Sequence, residues 1–217
     1  AYEIGAGLVG SEMCIRDRHR IDMDALILQP YNAGRFLSPS IRTVFQDNQQ
    51  NIWVSCNVGL HKLQFGNGEV YPHPGYMKDE VRCLYSDSRG RMWVSSRLGD
   101  IEIWEGDKRL GYLSPDGRVV ERRVSFGSGV YAIYEDRSRN LWLGTRDEGL
   151  YRLSYRLPRQ YAITGHYKSD THNMYSISGD AVYSILQDFK GRLWVGCYDS
   201  GLNLVEDPDA ENPYFLH

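Results

Sequence analysis

Four copies of one pattern dominate the sequence, and each copy holds an aspartate six residues before a tryptophan. The tryptophans are Trp53, Trp93, Trp142 and Trp194. They are separated by 40, 49 and 52 positions, which is the period of a four-stranded propeller blade. A chain built from such repeats must bury each unit against its neighbours, because a single repeat cannot cover its own apolar faces.

The residues before each aspartate predict a strand that is buried on both faces. In the third repeat, Ile133 is aliphatic and its neighbour Ala132 is small, and the other repeats follow the same pattern. Neighbouring residues of a strand point to opposite faces. Strands with two apolar or small faces are typical of sheets packed on both sides.

A short turn follows each aspartate, and a second strand carries the tryptophan. A later glycine, such as Gly149 or Gly201, introduces a third strand, and the fourth strand is the least regular. The sequence therefore predicts an all-β fold, a β-propeller segment of four four-stranded antiparallel blades within residues 19–206. The predicted blades cover about 35–75, 76–115, 124–160 and 175–206, and residues 207–217 are expected to lead into a truncated further blade.

Residues 1–18 fit no structural period and resemble a translated sequencing adapter. Residues 1–4 and 8–18 match two parts of such an adapter in one reading frame, with an index-length gap between them. We therefore exclude this segment from fold reasoning as non-native, and expect the chain to be a fragment at both ends.

Charge and hydropathy argue against a nucleic-acid-binding surface and against a membrane-spanning segment. The chain has 25 basic and 28 acidic residues, whereas a nucleic-acid-binding surface needs a clustered basic excess. No apolar run approaches the roughly 20 residues that span a bilayer. We expect neither a nucleic-acid partner nor a membrane segment in this part of the protein.

The repeats resemble two-component regulator propeller repeats. The resemblance rests on the pattern Asp-x-x-Gly-x-Leu-Trp-Val-Gly at residues 188–196 and on residues 141–153, and it covers about 35–205. Departures are the missing turn glycine at residues 49–51 and 139–140, and Asp100, where a leucine is usual. Family propellers are seven-bladed, so the resemblance implies an incomplete ring.

This resemblance also implies a function. Such blades form the sensor region of bacterial hybrid histidine kinases, often of gut Bacteroidetes, that detect polysaccharide fragments. The expected function is a periplasmic, non-catalytic ligand sensor that binds a carbohydrate or a partner domain. The expected partners are an oligo- or polysaccharide, the remaining blades and downstream signalling domains of the same chain.

The polar residues of the repeats are first interpreted as structural. Each repeated aspartate, for example Asp136, lies in its own turn and is expected to accept turn N–H groups. The tryptophans lie between aliphatic residues and are expected in the core. The histidines lack metal-ligand spacing, so we predict no metal site and no cofactor.

A candidate ligand surface remains at one end of the strands. In propellers, the loops entering the first strand and those joining the second and third strands share the face around the channel mouth. Arginine, tyrosine and carboxylate side chains there suit a sugar, which needs hydrogen bonds and stacking surfaces. The candidate residues are Arg42, Arg82, Tyr131, Tyr183, Arg97, Asp100, Arg146, Asp147, Glu148, Tyr198 and Asp199.

Two other classes stay open at this point. A propeller enzyme such as a lyase or glycosidase would need a catalytic set, and no Ser-His-Asp set or opposed carboxylate pair stands out. Asp147 and Glu148 are adjacent, which is typical of a turn. A purely structural scaffold is the third possibility.

Overall fold

The computed structural model describes residues 19–22, 27–30, 41–47, 51–57, 59–63, 70–72 and 80–217, and these residues contain strands but no helix. They belong to two compact units, residues 1–81 and 82–217. The predicted all-β fold is confirmed. The adapter-like segment 1–18 lies outside the described residues.

The first unit contains a hairpin and one antiparallel sheet. The hairpin pairs β1 (His19–Asp22) with β2 (Ile27–Pro30). The sheet has the order β3-β4-β5-β6. Its strands are β3 (Ile41–Gln46), β4 (Ile52–Cys56), β5 (Gly59–Leu63) and β6 (Val70–Pro72).

The second unit contains three further antiparallel sheets in chain order. The second sheet comprises β7 (Val81–Ser86), β8 (Arg91–Ser96), β9 (Ile101–Glu105), β10 (Lys108–Leu113) and β11 (Val119–Val120). The third comprises β12 (Val130–Glu135), β13 (Asn140–Thr145), β14 (Leu150–Leu157) and β15 (Gln160–Tyr167). The fourth comprises β16 (Val182–Gln187), β17 (Leu193–Cys197) and β18 (Gly201–Val205).

The four sheets overlap the four segments predicted as blades, but two of them differ from the predicted four strands, and the fifth strand of the second sheet lies past residue 115. The second sheet has a short fifth strand, and the fourth sheet has three. The third sheet continues to Tyr167, past the predicted end at residue 160. The blade limits and the total of seven blades stay predictions.

Apolar cores lie between successive sheets of the second unit, as strands with two buried faces require. One core joins Trp93 and Ile103 of the second sheet to Ile133, Leu143 and Leu153 of the third. A second core joins the third sheet to the fourth through Trp142, Leu150, Val182 and Val195. Burial of these side chains is the main stabilising contribution to the stacking of the sheets.

In the second and third sheets, the small residue two positions after the tryptophan lets the next sheet approach closely. A Cβ atom on Gly144 would lie 2.6 Å from Val182 Cγ1 and 2.9 Å from the Val182 carbonyl oxygen. At the equivalent position of the second sheet, the Ser95 hydroxyl donates to the Val130 carbonyl at 2.6 Å. The first strand of one sheet therefore rests on the second strand of the sheet before it.

The C-terminal residues pack on the fourth sheet. Leu216 forms an antiparallel bridge with Leu204 of β18, and the two residues exchange backbone hydrogen bonds of 2.8 and 2.9 Å. Phe215 is buried in the core between the third and fourth sheets. The prediction that residues 207–217 lead into another blade stays a prediction.

Candidate functional site

The loops predicted to form a common surface are joined by backbone hydrogen bonds in the second unit. Phe126, before β12, donates its N–H to Gly99, in the loop between β8 and β9, at 2.8 Å. Arg146, after β13, donates to the Gly129 carbonyl at 2.9 Å, and Tyr198, after β17, donates to Ala181 at 2.8 Å. These loops therefore lie together at one end of the strands.

A line of stacked side chains crosses this end of the second unit. The Arg82 guanidinium lies 5.1 Å from the centre of the Tyr131 ring. Tyr131 meets Tyr183 edge to face at 4.7 Å, and Tyr183 stacks on Tyr198 at 5.3 Å with 28° between the ring planes. We call these four residues the aromatic ladder. It runs over the second, third and fourth sheets, and four of the predicted residues are its members.

The ladder is most accessible at its last ring. Tyr198 is 59% exposed, whereas Arg82, Tyr131 and Tyr183 are partly buried. The contacts of Arg82 and the two inner rings fix their geometry, since cation–π and edge-to-face pairs each add about 0.5–1.5 kcal/mol beyond area burial. The ladder is thus an ordered surface with one open aromatic face.

Exposed charged residues lie in the loops that flank the ladder. Arg97, Arg146 and Asp199 are exposed in the loops between the second and third strands of their sheets. Asp199 adopts a left-handed conformation with φ 59°, which aspartate tolerates better than most residues. These side chains place both charge signs in the loops that flank the ladder.

Asp147 and Glu148 each have a partner of their own. An Asp147 carboxylate oxygen accepts a short hydrogen bond from the Ser128 hydroxyl. The Glu148 carboxylate pairs with the Lys168 ammonium at 3.0 Å, and this hydrogen bond raises the pKa of Lys168. The two carboxylates therefore serve different local contacts within one turn.

Asp100 differs from the other predicted residues because it is buried, with only 3% of its surface exposed. Its carboxylate accepts hydrogen bonds from the Ser96 hydroxyl at 2.6 Å and from the Arg123 guanidinium at 2.8 Å. It occupies the position at which the other repeats carry Leu60, Leu150 and Leu202. Asp100 stabilises its loop from within.

Arg42 lies in the first unit. Its Nε donates to the Asn57 side-chain oxygen at 2.7 Å and lies 2.9 Å from the Glu80 carboxylate. The equivalent positions in the second unit are Arg82, Tyr131 and Tyr183. Its place in the predicted ligand surface stays a prediction.

The repeated aspartates bind their own tryptophans, which sequence reasoning missed. The indole Nε1–H groups donate to the aspartate carboxylates at 2.8, 2.9, 2.7 and 3.0 Å in the four repeats. The other carboxylate oxygen accepts a backbone N–H four residues after the aspartate. The signal was present in the fixed spacing of six residues between the two side chains.

The side chains at this site offer hydrogen-bonding groups and stacking surfaces. Over the described ranges, no three His, Cys, Asp or Glu residues are placed to hold a metal ion. Burial raises the pKa of the Cys83 thiol to about 12, against a smaller opposing effect of a backbone hydrogen bond, so this thiol stays protonated and a poor nucleophile.

Stacked antiparallel sheets with this loop surface define the chain as part of a β-propeller. Three segments, residues 75–97, 125–147 and 176–199, match the family model described as two component regulator propeller. These three segments are similar to two-component regulator propeller repeats. Each matched segment covers a first strand, the turn after it and the strand that carries the tryptophan.

Solved structures with the same fold include extracellular domains of bacterial one-component and two-component systems. The extracellular domain of the B. thetaiotaomicron one component system BT4673 is 18% identical with a TM-score of 0.69, covering 87% of this chain and 25% of its own. The extracellular domain of the hybrid two component system BT3049 from the same organism is 20% identical with a TM-score of 0.65, covering 92% and 25%. The WD40 β-propeller domain of Doa1 is 16% identical with a TM-score of 0.52, covering 76% and 50%.

This chain therefore spans about a quarter of the length of the two B. thetaiotaomicron domains. A search among curated proteins found no match. In the part of the chain that the structure describes, no helix is long and apolar enough to span a bilayer.

Proposed function

We propose that this chain is part of the extracytoplasmic, ligand-sensing propeller of a two-component sensor, and that this part is not catalytic. Two findings support the proposal: the propeller repeats are of the two-component regulator type, and structures of similar fold are extracellular domains of bacterial signalling systems. On this proposal the module lies in the periplasm, as the sensor region of a membrane-bound kinase.

The proposed ligand is an oligo- or polysaccharide, and the aromatic ladder is the main observation in favour of a saccharide. Tyr198 offers an exposed ring face at the end of the ladder, on which the C–H face of a sugar ring can stack. Arg97, Arg146 and Asp199 supply donors and an acceptor from the same loops. A few convergent polar groups beside an aromatic surface are typical of a small-molecule site.

Signalling would follow from a population shift. A ligand changes the equilibrium between two arrangements of the sensor only if it binds one of them more tightly. The remaining blades and the downstream signalling domains of the same chain are the proposed partners that respond to this shift.

The test is a glycan array, followed by titration calorimetry of each saccharide that binds. Tyr198→Ala and Arg82→Ala are expected to weaken binding by about 1–3 kcal/mol each, the loss typical of a charged hydrogen bond or a buried contact. Phe189→Ala is the matched control, because Phe189 is an exposed aromatic residue in the turn at the other end of the fourth sheet. Equal weakening by all three variants, or no saccharide bound by the chain, would contradict the proposed site.

The time course of the bound saccharide separates the sensor from a propeller enzyme. A sensor leaves its saccharide chemically unchanged after long incubation, and mass spectrometry of the recovered saccharide measures this. Turnover that disappears in Asp147→Asn or Glu148→Gln would replace the sensor with a lyase or glycosidase.

A further inference from the structure

A charged cleft lies between the second and third sheets, at the end of the strands opposite to the aromatic ladder. Its volume is about 570 Å³, a size that accommodates a small organic molecule. Four cationic side chains and two carboxylates line it: Arg91, Lys108, Arg109, Arg159, Glu105 and Glu121. The lining therefore carries an excess of two positive charges.

Three of these side chains form one row across the second sheet. Arg91 lies directly opposite Glu105, and Glu105 lies directly opposite Lys108. Directly opposite residues point to the same face, and this is the face on which Trp93 and Ile103 pack against the third sheet. At the outer end of that interface, these three charged side chains therefore stand where apolar side chains would otherwise pack.

The cationic groups are held in place by neighbouring residues. The Arg91 guanidinium donates to the Tyr161 hydroxyl at 2.7 Å and lies 5.2 Å from the Tyr155 ring centre. The Arg159 guanidinium donates to the Leu110 carbonyl at 2.8 Å. Charged donors that are already oriented lose less conformational entropy when they bind an anion.

The corresponding place between the third and fourth sheets holds a carboxylate of the protein itself. Asp209, in the segment after β18, accepts hydrogen bonds from the Ser138 hydroxyl at 2.6 Å and from the Asn140 amide at 3.3 Å. Ser138 and Asn140 lie two and four residues after the repeat aspartate Asp136. An internal acceptor therefore occupies the donors of this groove.

In the second sheet, the residues equivalent to Ser138 and Asn140 are Arg89 and Arg91, which lie two and four positions after Asp87. The segment of the third sheet that corresponds to the Asp209 loop is the turn of the β14–β15 hairpin, and it presents Arg159 to the cleft. Where one groove has a carboxylate on two neutral donors, the other has four cations, two carboxylates and open volume, and Arg159 lies 3.6 Å from Glu121.

We propose that this cleft binds a small dianion through its carboxylate or sulfate groups. Arginine suits such groups because its planar fork can donate two parallel hydrogen bonds to one oxyanion. The site is separate from the aromatic ladder, and the proposal does not depend on the ladder binding a saccharide.

Titration calorimetry on the full chain at low salt tests the proposal, with succinate and inorganic sulfate as separate probes. The two probes distinguish a dicarboxylate site from a sulfate site. Lys108→Ala is expected to weaken binding about tenfold, as expected when a charged donor is lost. Lys190→Ala removes the same charge from an exposed turn of the fourth sheet and should leave the affinity unchanged.

A second variant imitates the groove between the third and fourth sheets, in which Asp209 occupies the donors. Arg159→Asp removes a cation and places a tethered carboxylate in the hairpin, so dianion binding should be lost while the melting temperature stays within a few degrees of the parent chain. The proposal is overturned if neither probe binds at about 10 mM, if Lys108→Ala binds as tightly as the parent, or if Lys190→Ala weakens binding equally. If Arg159→Asp does not fold, the comparison of Lys108→Ala with Lys190→Ala decides the question.

Discussion

At the residue scale, the aspartate–tryptophan pair explains why one spacing recurs four times. A buried indole N–H needs an acceptor, since an unsatisfied buried donor costs about 1–3 kcal/mol. In the third sheet Trp142 is fully buried and donates to the Asp136 carboxylate at 2.7 Å. The same carboxylate accepts the Asn140 N–H at 2.8 Å, so one side chain stabilises both the core and the turn.

We predict that Asp136→Ala lowers the free energy of unfolding by about 2–4 kcal/mol, because it leaves both of these donors without their acceptor. Denaturant unfolding followed by tryptophan fluorescence measures the change. Asp188→Ala is the matched control: its tryptophan, Trp194, is only partly buried, so water can replace the lost acceptor and the loss should be smaller.

Equal losses in the two variants would show that the turn hydrogen bonds alone determine the effect. Neither variant should change the intrinsic affinity for a ligand of the aromatic ladder, since both aspartates lie at the opposite end of the strands.

The sequence predicted part of this chemistry. The turn position of Asp136 indicated that its carboxylate accepts backbone N–H groups, and this is confirmed. The indole contact depends on how Trp142 pairs with Tyr134 across the hairpin, which places the ring over the turn. The burial of Asp100 could not be predicted, because its partner Arg123 comes 23 residues later along an irregular segment.

At the element scale, the turn between the first and second strands of the second, third and fourth sheets has a residue in the left-handed conformation three positions after the aspartate. Glycine supplies this conformation at Gly90, with φ 76°, and at Gly191, with φ 85°. The third sheet has Arg139 there, with φ 63°. A residue with a side chain costs about 1–2 kcal/mol in this conformation, so the turn of the third sheet is strained relative to those of the second and fourth sheets.

We therefore predict that Arg139→Gly raises the free energy of unfolding by roughly 0.5–1 kcal/mol, the strain relieved less the entropic cost of glycine. Gly90→Ala is the reciprocal test. A Cβ at Gly90 has no atom within 4 Å, so a loss of about 1 kcal/mol there would come from the backbone alone. Thermal melting of both variants measures the changes, and a destabilised Arg139→Gly would contradict this account.

Element boundaries were less predictable than element types. The repeat indicated where first and second strands lie, because apolar and small residues alternate there. The outer strands have no such signal: β11 has two residues, and the edge of the fourth sheet is a single bridge at Leu216. The charged cleft depends on the short turn between β14 and β15, whose position depends on packing between sheets.

At the scale of the whole molecule, one face of the third sheet is covered by the fourth sheet, whereas the equivalent face of the fourth sheet is exposed. In the third sheet, Trp142 and Leu150 are fully buried by the fourth sheet. The equivalent residues of the fourth sheet are the partly buried Trp194 and Leu202, which is 55% exposed. Leu186, directly opposite Trp194, is 58% exposed, so this face presents a row of apolar side chains to solvent.

Contiguous exposed apolar surface of this kind drives association. We predict that the chain self-associates at concentrations of about 100 µM, a typical range for a weak interface, and that Leu186→Glu combined with Leu202→Glu shifts it toward monomer. Sedimentation velocity measures the distribution of species. The double variant should act through the face alone, because both side chains are more than half exposed.

The matched control for this prediction is Leu157→Glu, since Leu157 is 59% exposed at the end of β14 and lies outside the fourth sheet. It should leave the association unchanged if the fourth sheet provides the contact. A parent chain that is monomeric at the same concentration, or a Leu157→Glu variant as monomeric as the double variant, would contradict the prediction. A longer chain with one more blade after the fourth should behave like the double variant, because that blade would cover Trp194 as the fourth sheet covers Trp142.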